Sequence, residues 1–120
     1  MDGLRILIAD DEPIIRMDLR QTLESQGYIV IAEAGDGAQA VDLARTHCPD
    51  LCILDVKMPA LDGIEAMERI YEEEIAPCVL LTAYADRELV ERAKSVGAFA
   101  YLVKPFSADE LPPAIEVARA

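Results

Sequence analysis

Four places in the chain put a reactive side chain directly after a short apolar run. Ile6-Leu7-Ile8-Ala9 runs into Asp10, Asp11 and Glu12, and Leu51-Cys52-Ile53-Leu54 runs into Asp55. Val79-Leu80-Leu81 runs into Thr82, and Tyr101-Leu102-Val103 into Lys104. Such runs read as strands buried on both faces of a parallel sheet. Sheets of that kind gather their ligands beyond the carboxyl ends of the strands. If the four strands lie parallel, Asp10, Asp11, Asp55, Thr82 and Lys104 share one edge. Three converging carboxylates repel, so the arrangement calls for a cation. Hard oxygen donors without an imidazole or thiolate pattern favour Mg2+, which keeps several waters and uses few protein ligands. Lys104 adds an ammonium and Thr82 a hydroxyl. Together these groups suit a phosphoryl group, whose equatorial charge they can spread and neutralise during transfer. The acceptor would be the Asp55 carboxylate, giving an aspartyl-phosphate.

Taken singly, each residue has a plainer reading. An Asp after a strand commonly caps a helix or forms a turn. Thr82 alone is a strand-end residue, and Lys104 alone is a solvated lysine. The chemical reading rests on all of them falling at the ends of the right strands.

The intervening sequence supplies the elements that would hold this edge. Residues 4–9 read as the first strand, and Pro13 suits the first position of a helix carrying Ile15, Leu19 and Leu23 at four-residue spacing. Gly27 marks the end of that helix. Residues 28–33 read as a second strand, and Gly35-Asp36-Gly37 as a turn into a helix with Val41 and Ala44 that stops before Pro49. After the strand at 51–54, a loop through Met58-Pro59 and Asp62-Gly63 leads to a helix bearing Ile64, Met67 and Tyr71. Residues 78–82 form the fourth strand. Asp86 can cap a helix with Leu89, Val90, Ala93 and Val96 on one stripe. Residues 99–103 form the fifth strand, and Ser107-Ala108-Asp109-Glu110 has the form of a capping box. Pro112 and Pro113 conflict with one continuous last helix, since an interior proline costs roughly 3 kcal/mol. A tight or 3₁₀ turn at 107–111 is therefore expected, with the helix restarting near Pro112. Strict alternation of strand and helix, five times over, predicts a parallel α/β sheet covered by helices on both faces.

Bulk properties narrow the function classes. A chain of 120 residues suits one domain, and its 52% apolar content is enough to fill one core. Lys and Arg total 11 against 23 Asp and Glu, a net charge of −12. Such a surface repels phosphate backbones and anionic membranes, so this domain is not expected to bind nucleic acid directly. No apolar run approaches the roughly 18 residues of a membrane span, and no secretory signal opens the chain. A cytoplasmic location is expected. Cys48, Cys52 and Cys78 read as small buried apolar residues in a reducing compartment, since an odd count argues against a disulfide framework.

The joint pattern resembles a known family. Asp10-Asp11, Asp55 followed by Met58-Pro59 and Asp62-Gly63, Thr82-Ala83, and Lys104-Pro105-Phe106 look like the receiver domain of two-component response regulators. The resemblance covers essentially the whole chain, residues 1–120. It implies the flavodoxin-like (βα)5 strand order 2-1-3-4-5, which a member of the same family illustrates. It also implies roles. Asp55 would be the phosphoacceptor. Asp11 and Asp55 would bind Mg2+ directly, Asp10 mainly through water, and the backbone carbonyl of Lys57 would complete the protein ligands. Lys104 would pair with phosphoryl oxygens and Thr82 would hydrogen-bond to one. Tyr101 would be the aromatic switch that turns inward as Thr82 moves. The Lys104–Pro105 peptide would be cis, a geometry least costly before proline. A narrower likeness lies in Asp11-Glu12-Pro13-Ile14-Ile15-Arg16-Met17-Asp18-Leu19, Ile75-Ala76-Pro77, Ala83-Tyr84 and Pro113-Ala114-Ile115-Glu116. These segments are similar to receivers of the antitermination regulators (the ANTAR, or AmiR/NasT, group), which usually carry a C-terminal RNA-binding helical domain. The expectation is a receiver fragment of such a regulator rather than a single-domain relative, with RNA binding in the missing part.

The implied cycle is short. A sensor histidine kinase supplies the phosphoryl group, Asp55 takes it with Mg2+ bound, and the added charge of about −1.5 to −2 draws in Thr82 and Lys104. The surface of the fourth helix, fifth strand and fifth helix then changes shape, biasing partner binding and homodimerisation through that face. The domain would act as a phosphoacceptor that catalyses its own phosphorylation and slow dephosphorylation, not as a turnover enzyme. Lys57 and Tyr84 would flank the path of an attacking water. Neither is a carboxylate or amide that could readily orient it, so slow self-hydrolysis is expected. Three other readings compete. A phosphatase using Asp55 as a transient nucleophile lacks the Asp-x-Asp pattern, since Val56-Lys57 follow Asp55. A pseudo-receiver that works without phosphorylation would not need the intact set of site residues. Dinucleotide binding at Gly35-Asp36-Gly37 lacks the third glycine and the early-strand context.

Overall fold

The computed structural model describes residues 3–83, 87–97 and 99–120. Five strands alternate with five helices: β1 (Arg5–Ala9), α1 (Pro13–Ser25), β2 (Ile29–Ala34), α2 (Gly37–His47), β3 (Leu51–Asp55), α3 (Gly63–Glu72), β4 (Cys78–Ala83), α4 (Arg87–Lys94), β5 (Ala100–Lys104) and α5 (Leu111–Arg119). All neighbouring strands are parallel, and their order is β2-β1-β3-β4-β5. This is the doubly wound, flavodoxin-like arrangement. No helix among the described residues is long and apolar enough to cross a membrane.

The period of two along each strand explains why apolar runs, rather than alternating ones, build the centre of the sheet. Leu7, Ala9, Cys52, Leu54 and Leu80 belong to one core with Val41 and Ala44 of α2 and Ile64, Met67 and Ile70 of α3. Ile6, Ile8, Leu51, Ile53, Val79 and Leu81 belong to the other, with Leu19 and Leu23 of α1 and Leu111 and Ile115 of α5. Every residue of β3 is buried, so the strand carrying Asp55 is the axis of the molecule.

Helix entries agree with their sequences. Asp36 caps α2 by accepting from the Gln39 N–H at 2.7 Å. Asp62 and Glu65 form a reciprocal capping box on α3, at 2.8 and 3.1 Å. Before α5 the chain makes a 3₁₀ turn at Ala108–Glu110, whose Glu110 carboxylate accepts from the Ser107 N–H at 2.7 Å. Helix α5 then starts at Leu111, so Pro112 and Pro113 fall in its first turn. There the missing N–H groups have no intrahelical partner to lose.

Two expectations need correction. Cys48 is exposed, unlike the buried Cys52 and Cys78. It ends α2 in the left-handed conformation, φ 46°, which takes it off the buried face of that helix. Ile15 does not share the burial of Leu19 and Leu23: it is 37% exposed, beside the exposed Ile14 and Met17. Among the described residues, Ile15 lines a surface groove with Lys104, Pro105 and Phe106. The capping role expected of Asp86 lies outside the described residues.

Candidate functional site

Parallel pairing brings the carboxyl ends of β1, β3, β4 and β5 to one edge. Ala9 faces Leu54, Asp55 faces Leu81, and Ala83 faces Lys104. Beyond these ends, Asp10, Asp11 and Asp55 each present a carboxylate oxygen, all within 4.8 Å of one another. Asp10 is fully buried and Asp55 nearly so, while Asp11 is exposed. Lys104 Nζ reaches Asp55 Oδ1 at 3.2 Å and Asp10 Oδ2 at 3.4 Å. Residues as far apart as Asp10 and Lys104 thus form one ion-pair network.

Local structure fixes each group. The Asp10 N–H donates to the Ala34 carbonyl at 3.1 Å, and Asp10 Oδ1 accepts from the Glu12 N–H at 2.9 Å, at the amino end of α1. A carboxylate is favoured there by the helix dipole. The Val56 N–H donates to Leu81 O at 2.9 Å, extending the ladder one residue past Asp55. The Gly63 N–H then donates to Val56 O at 2.7 Å, closing the loop that carries Lys57. Asp62, at the end of this loop, also accepts from Arg92 Nη2 of α4 at 2.7 Å. Thr82 is buried at the end of β4, in register with Val103, and its hydroxyl donates to Ala83 O at 3.3 Å. Tyr101 stands apart from the pocket. It is half exposed, with its ring centroid 6.4 Å from that of Phe99. The Lys104–Pro105 peptide is cis. Tyr84 lies outside the described residues.

The electrostatics are those of a crowded anionic pocket. Burial pushes the Asp55 carboxyl above its ordinary value; Lys104 opposes this, and Asp10 and Asp11 reinforce it. Burial pulls the Lys104 ammonium down, but Asp55 and Asp10 outweigh it and hold Lys104 above its ordinary value. An acid with a raised native pKa destabilises the fold once ionised. That cost is absent below the ordinary carboxylate range and grows as pH rises through the raised value. Without divalent metal, Asp55→Asn is expected to be more stable than wild type at neutral pH, because it removes a buried carboxylate that Asp10 and Asp11 repel. Saturating Mg2+ is expected to reverse the order, because a ligand at a hundredfold excess over Kd adds about 2.7 kcal/mol to the protein that binds it. Scanning calorimetry in EDTA and in Mg2+ reads both effects. A variant less stable than wild type in EDTA would contradict this account.

The donor set fits a hard divalent cation: three carboxylates, two of them buried, with no thiolate or imidazole among them. Asp10, Asp11 and Asp55 are the side chains that would hold it. Two contacts went unread in the sequence. Arg16 donates from Nη1 to the Asp10 carbonyl at 2.7 Å, and Arg92 ties α4 to the loop after Asp55. An arginine one turn into the helix that follows an acidic turn was the available signal for the first. The second had none, since it joins residues 30 apart.

A doubly wound sheet with a carboxylate-and-ammonium pocket at its carboxyl edge defines the class of protein. The sequence matches the response regulator receiver domain over residues 6–116, and the chain belongs to that family. Phosphorylation and Mg2+ binding are typical of its members. The transcriptional regulatory protein PdtaR of Mycobacterium tuberculosis is 59% identical over 114 residues, covering 95% of this chain and 56% of PdtaR. The chain therefore spans little more than half the length of that relative. The chemotaxis protein CheY of Bacillus subtilis is 40% identical over 112 residues, 92% of this chain and 93% of CheY. Among solved structures, the signal receiver domain of a modulated diguanylate cyclase from Desulfovibrio desulfuricans superposes with a TM-score of 0.89. It is 37% identical, and the match covers 98% of this chain and 94% of that one.

Proposed function

We propose that this domain accepts a phosphoryl group on Asp55 from a histidine kinase in the cytoplasm, with Mg2+ bound by Asp10, Asp11, Asp55 and the Lys57 carbonyl. The observation that carries the reading is the contact of Lys104 Nζ with both Asp55 and Asp10 inside a cluster of three carboxylates. The metal would supply positive charge against the incoming phosphoryl oxygens. The chain's own groups do the rest. Asp55, held at the end of a buried strand, is the nucleophile. Lys104 neutralises a phosphoryl oxygen without leaving its place, and Thr82 offers a hydroxyl donor from the neighbouring strand. Tyr101 and Thr82 would relay the change to α4, β5 and α5, where kinase-controlled partners or a second copy of the chain would bind. The half-exposed Tyr101 and the exposed Val117 support this choice of surface.

Incubation with acetyl phosphate and Mg2+, followed by intact mass measurement, tests the proposal. A stable single-phosphate adduct is expected in wild type and none in Asp55→Ala. Rapid release of free phosphate instead of an adduct would favour the phosphatase reading, and no adduct from any donor would favour a pseudo-receiver. The lifetime of the adduct carries a second expectation. Lys57→Asn is expected to shorten it by about an order of magnitude, because an amide can orient the attacking water where an ammonium cannot. An unchanged lifetime by phosphate release would remove Lys57 from that role.

For output, we propose RNA-binding antitermination through a C-terminal helical domain. The antitermination-type segments described above support this. So does the similarity to PdtaR, a transcriptional regulatory protein well longer than the matched stretch.

A further inference from the structure

Arg16 has no part in the phosphoryl chemistry above, yet it touches the backbone of the acidic pair. Its Nη1 donates to the Asp10 carbonyl at 2.7 Å, and its Nε donates to Glu33 Oε1 at 3.2 Å. The other oxygen of Glu33 accepts from Arg20 Nη1. One guanidinium on α1 thereby clamps the end of β1 to β2. The Arg16 side chain is only 22% exposed, against 44% for Arg20, so its fork is held more firmly than that of a surface arginine.

The carbonyl it holds belongs to the peptide that joins Asp10 to Asp11. A peptide is planar, so fixing its carbonyl fixes the orientation of the whole unit and the position of the Asp11 Cα. The remaining polar groups of Asp10 are already engaged: its N–H with Ala34, Oδ1 with Glu12 and Oδ2 with Lys104. Arg16 is the contact that sets the plane between the two carboxylates. Its planar fork suits this task because Nη1 and Nε meet the carbonyl and Glu33 from fixed, separate atoms, whereas the donors of an ammonium all rotate about one nitrogen.

We propose that Arg16 is a positioning residue for the metal site, locking the Asp10–Asp11 peptide so that both carboxylates face one divalent cation, with Glu33 holding the guanidinium in place. This rests on the Mg2+ reading given above. Groups that orient metal ligands typically contribute 10–100-fold to affinity.

Calorimetric titration with Mg2+ alone tests it, on wild type, Arg16→Ala, Arg16→Lys and Arg20→Ala, with folding of each checked by circular dichroism. Arg16→Ala is expected to bind Mg2+ about tenfold more weakly, Arg16→Lys to recover only part of the loss, and Arg20→Ala to stay within about twofold of wild type. A lower Tm with unchanged Mg2+ affinity in Arg16→Ala would make Arg16 a structural tie only and overturn the proposal. Full affinity in Arg16→Lys would assign the effect to charge rather than to the peptide plane and also overturn it; this variant decides the matter if Arg16→Ala fails to fold. Wild type that binds no Mg2+ would overturn the metal reading itself, an outcome distinct from the other two.

Discussion

Lys104→Met is expected to slow phosphorylation of Asp55 by acetyl phosphate about a hundredfold, the usual scale for losing one preorganised charge at a transfer site. The cause lies in the pocket's charge balance. Lys104 is the ammonium that contacts both Asp10 and Asp55, and methionine keeps the apolar stem while removing the charge. The same change is expected to cost about 2 kcal/mol of stability without metal, less than for a fully buried pair because a quarter of the Lys104 side chain is exposed. The two effects separate on adding Mg2+, which restores charge and hence stability but not the lost contact to the phosphoryl group. The pH dependence has a definite sign. Lys104 gains its partners in the folded state, so its stabilisation is fully present below the ordinary lysine value of 10.5 and is lost as pH rises through its raised native value. The stability difference between wild type and Lys104→Met should therefore be constant near neutrality on the lysine's account and shrink only in strong base. A phosphorylation rate within a factor of about three of wild type would remove Lys104 from the transfer step.

Gly63→Ala is expected to cost about 3 kcal/mol, roughly 10 °C in Tm, and to abolish tight Mg2+ binding. A Cβ on residue 63 would lie 2.2 Å from the carbonyl oxygen of Asp55 and 2.9 Å from the Cα of Val56. Both obstacles are backbone, so no rotamer change relieves them. The start of α3 must move, or the chain beyond Asp55 must move, and the Lys57 carbonyl moves with it. Gly37 faces the same constraint against Leu61, whose carbonyl would lie 2.0 Å from an added Cβ. Helices α2 and α3 thus both press their first residues onto the end of β3 and the loop that follows Asp55. Thermal melts and Mg2+ titration check the expectation. A Gly63→Ala protein with Tm within about 2 °C of wild type would show that the loop yields easily.

Much of this site was legible because it depends on local rules. An apolar run that ends in a polar residue marks a buried strand and its exit, and parallel strands must exit on the same side. Those rules alone bring Asp10, Asp11, Asp55 and Lys104 to one edge, where their carboxylates and ammonium meet. The conflict of Pro112 and Pro113 with a continuous helix likewise predicted the 3₁₀ turn and the restart of α5. Legibility failed where a residue's setting depends on distant parts of the chain. Ile15 has the spacing of a core residue, but it lines a surface groove with Pro105 and Phe106, residues far along the chain. Ala60 gives no hint in sequence that it adopts φ 68° in the loop after Asp55, a left-handed conformation that costs a non-glycine residue about 1 kcal/mol and is held by its surroundings.

The chain's own pattern determined the number and direction of the elements, the two cores and the types of side chain at the carboxyl edge. Alternation of strand and helix leaves few other solutions. Only the tertiary structure decided that Lys104 lies between Asp10 and Asp55, that Arg16 holds the Asp10 carbonyl, and that Gly63 leaves no room above Asp55. Such contacts depend on which strand neighbours which and on tenths of an ångström in packing. Local propensity carries neither, because it acts over a few residues while the ammonium and its carboxylate partner are 94 apart.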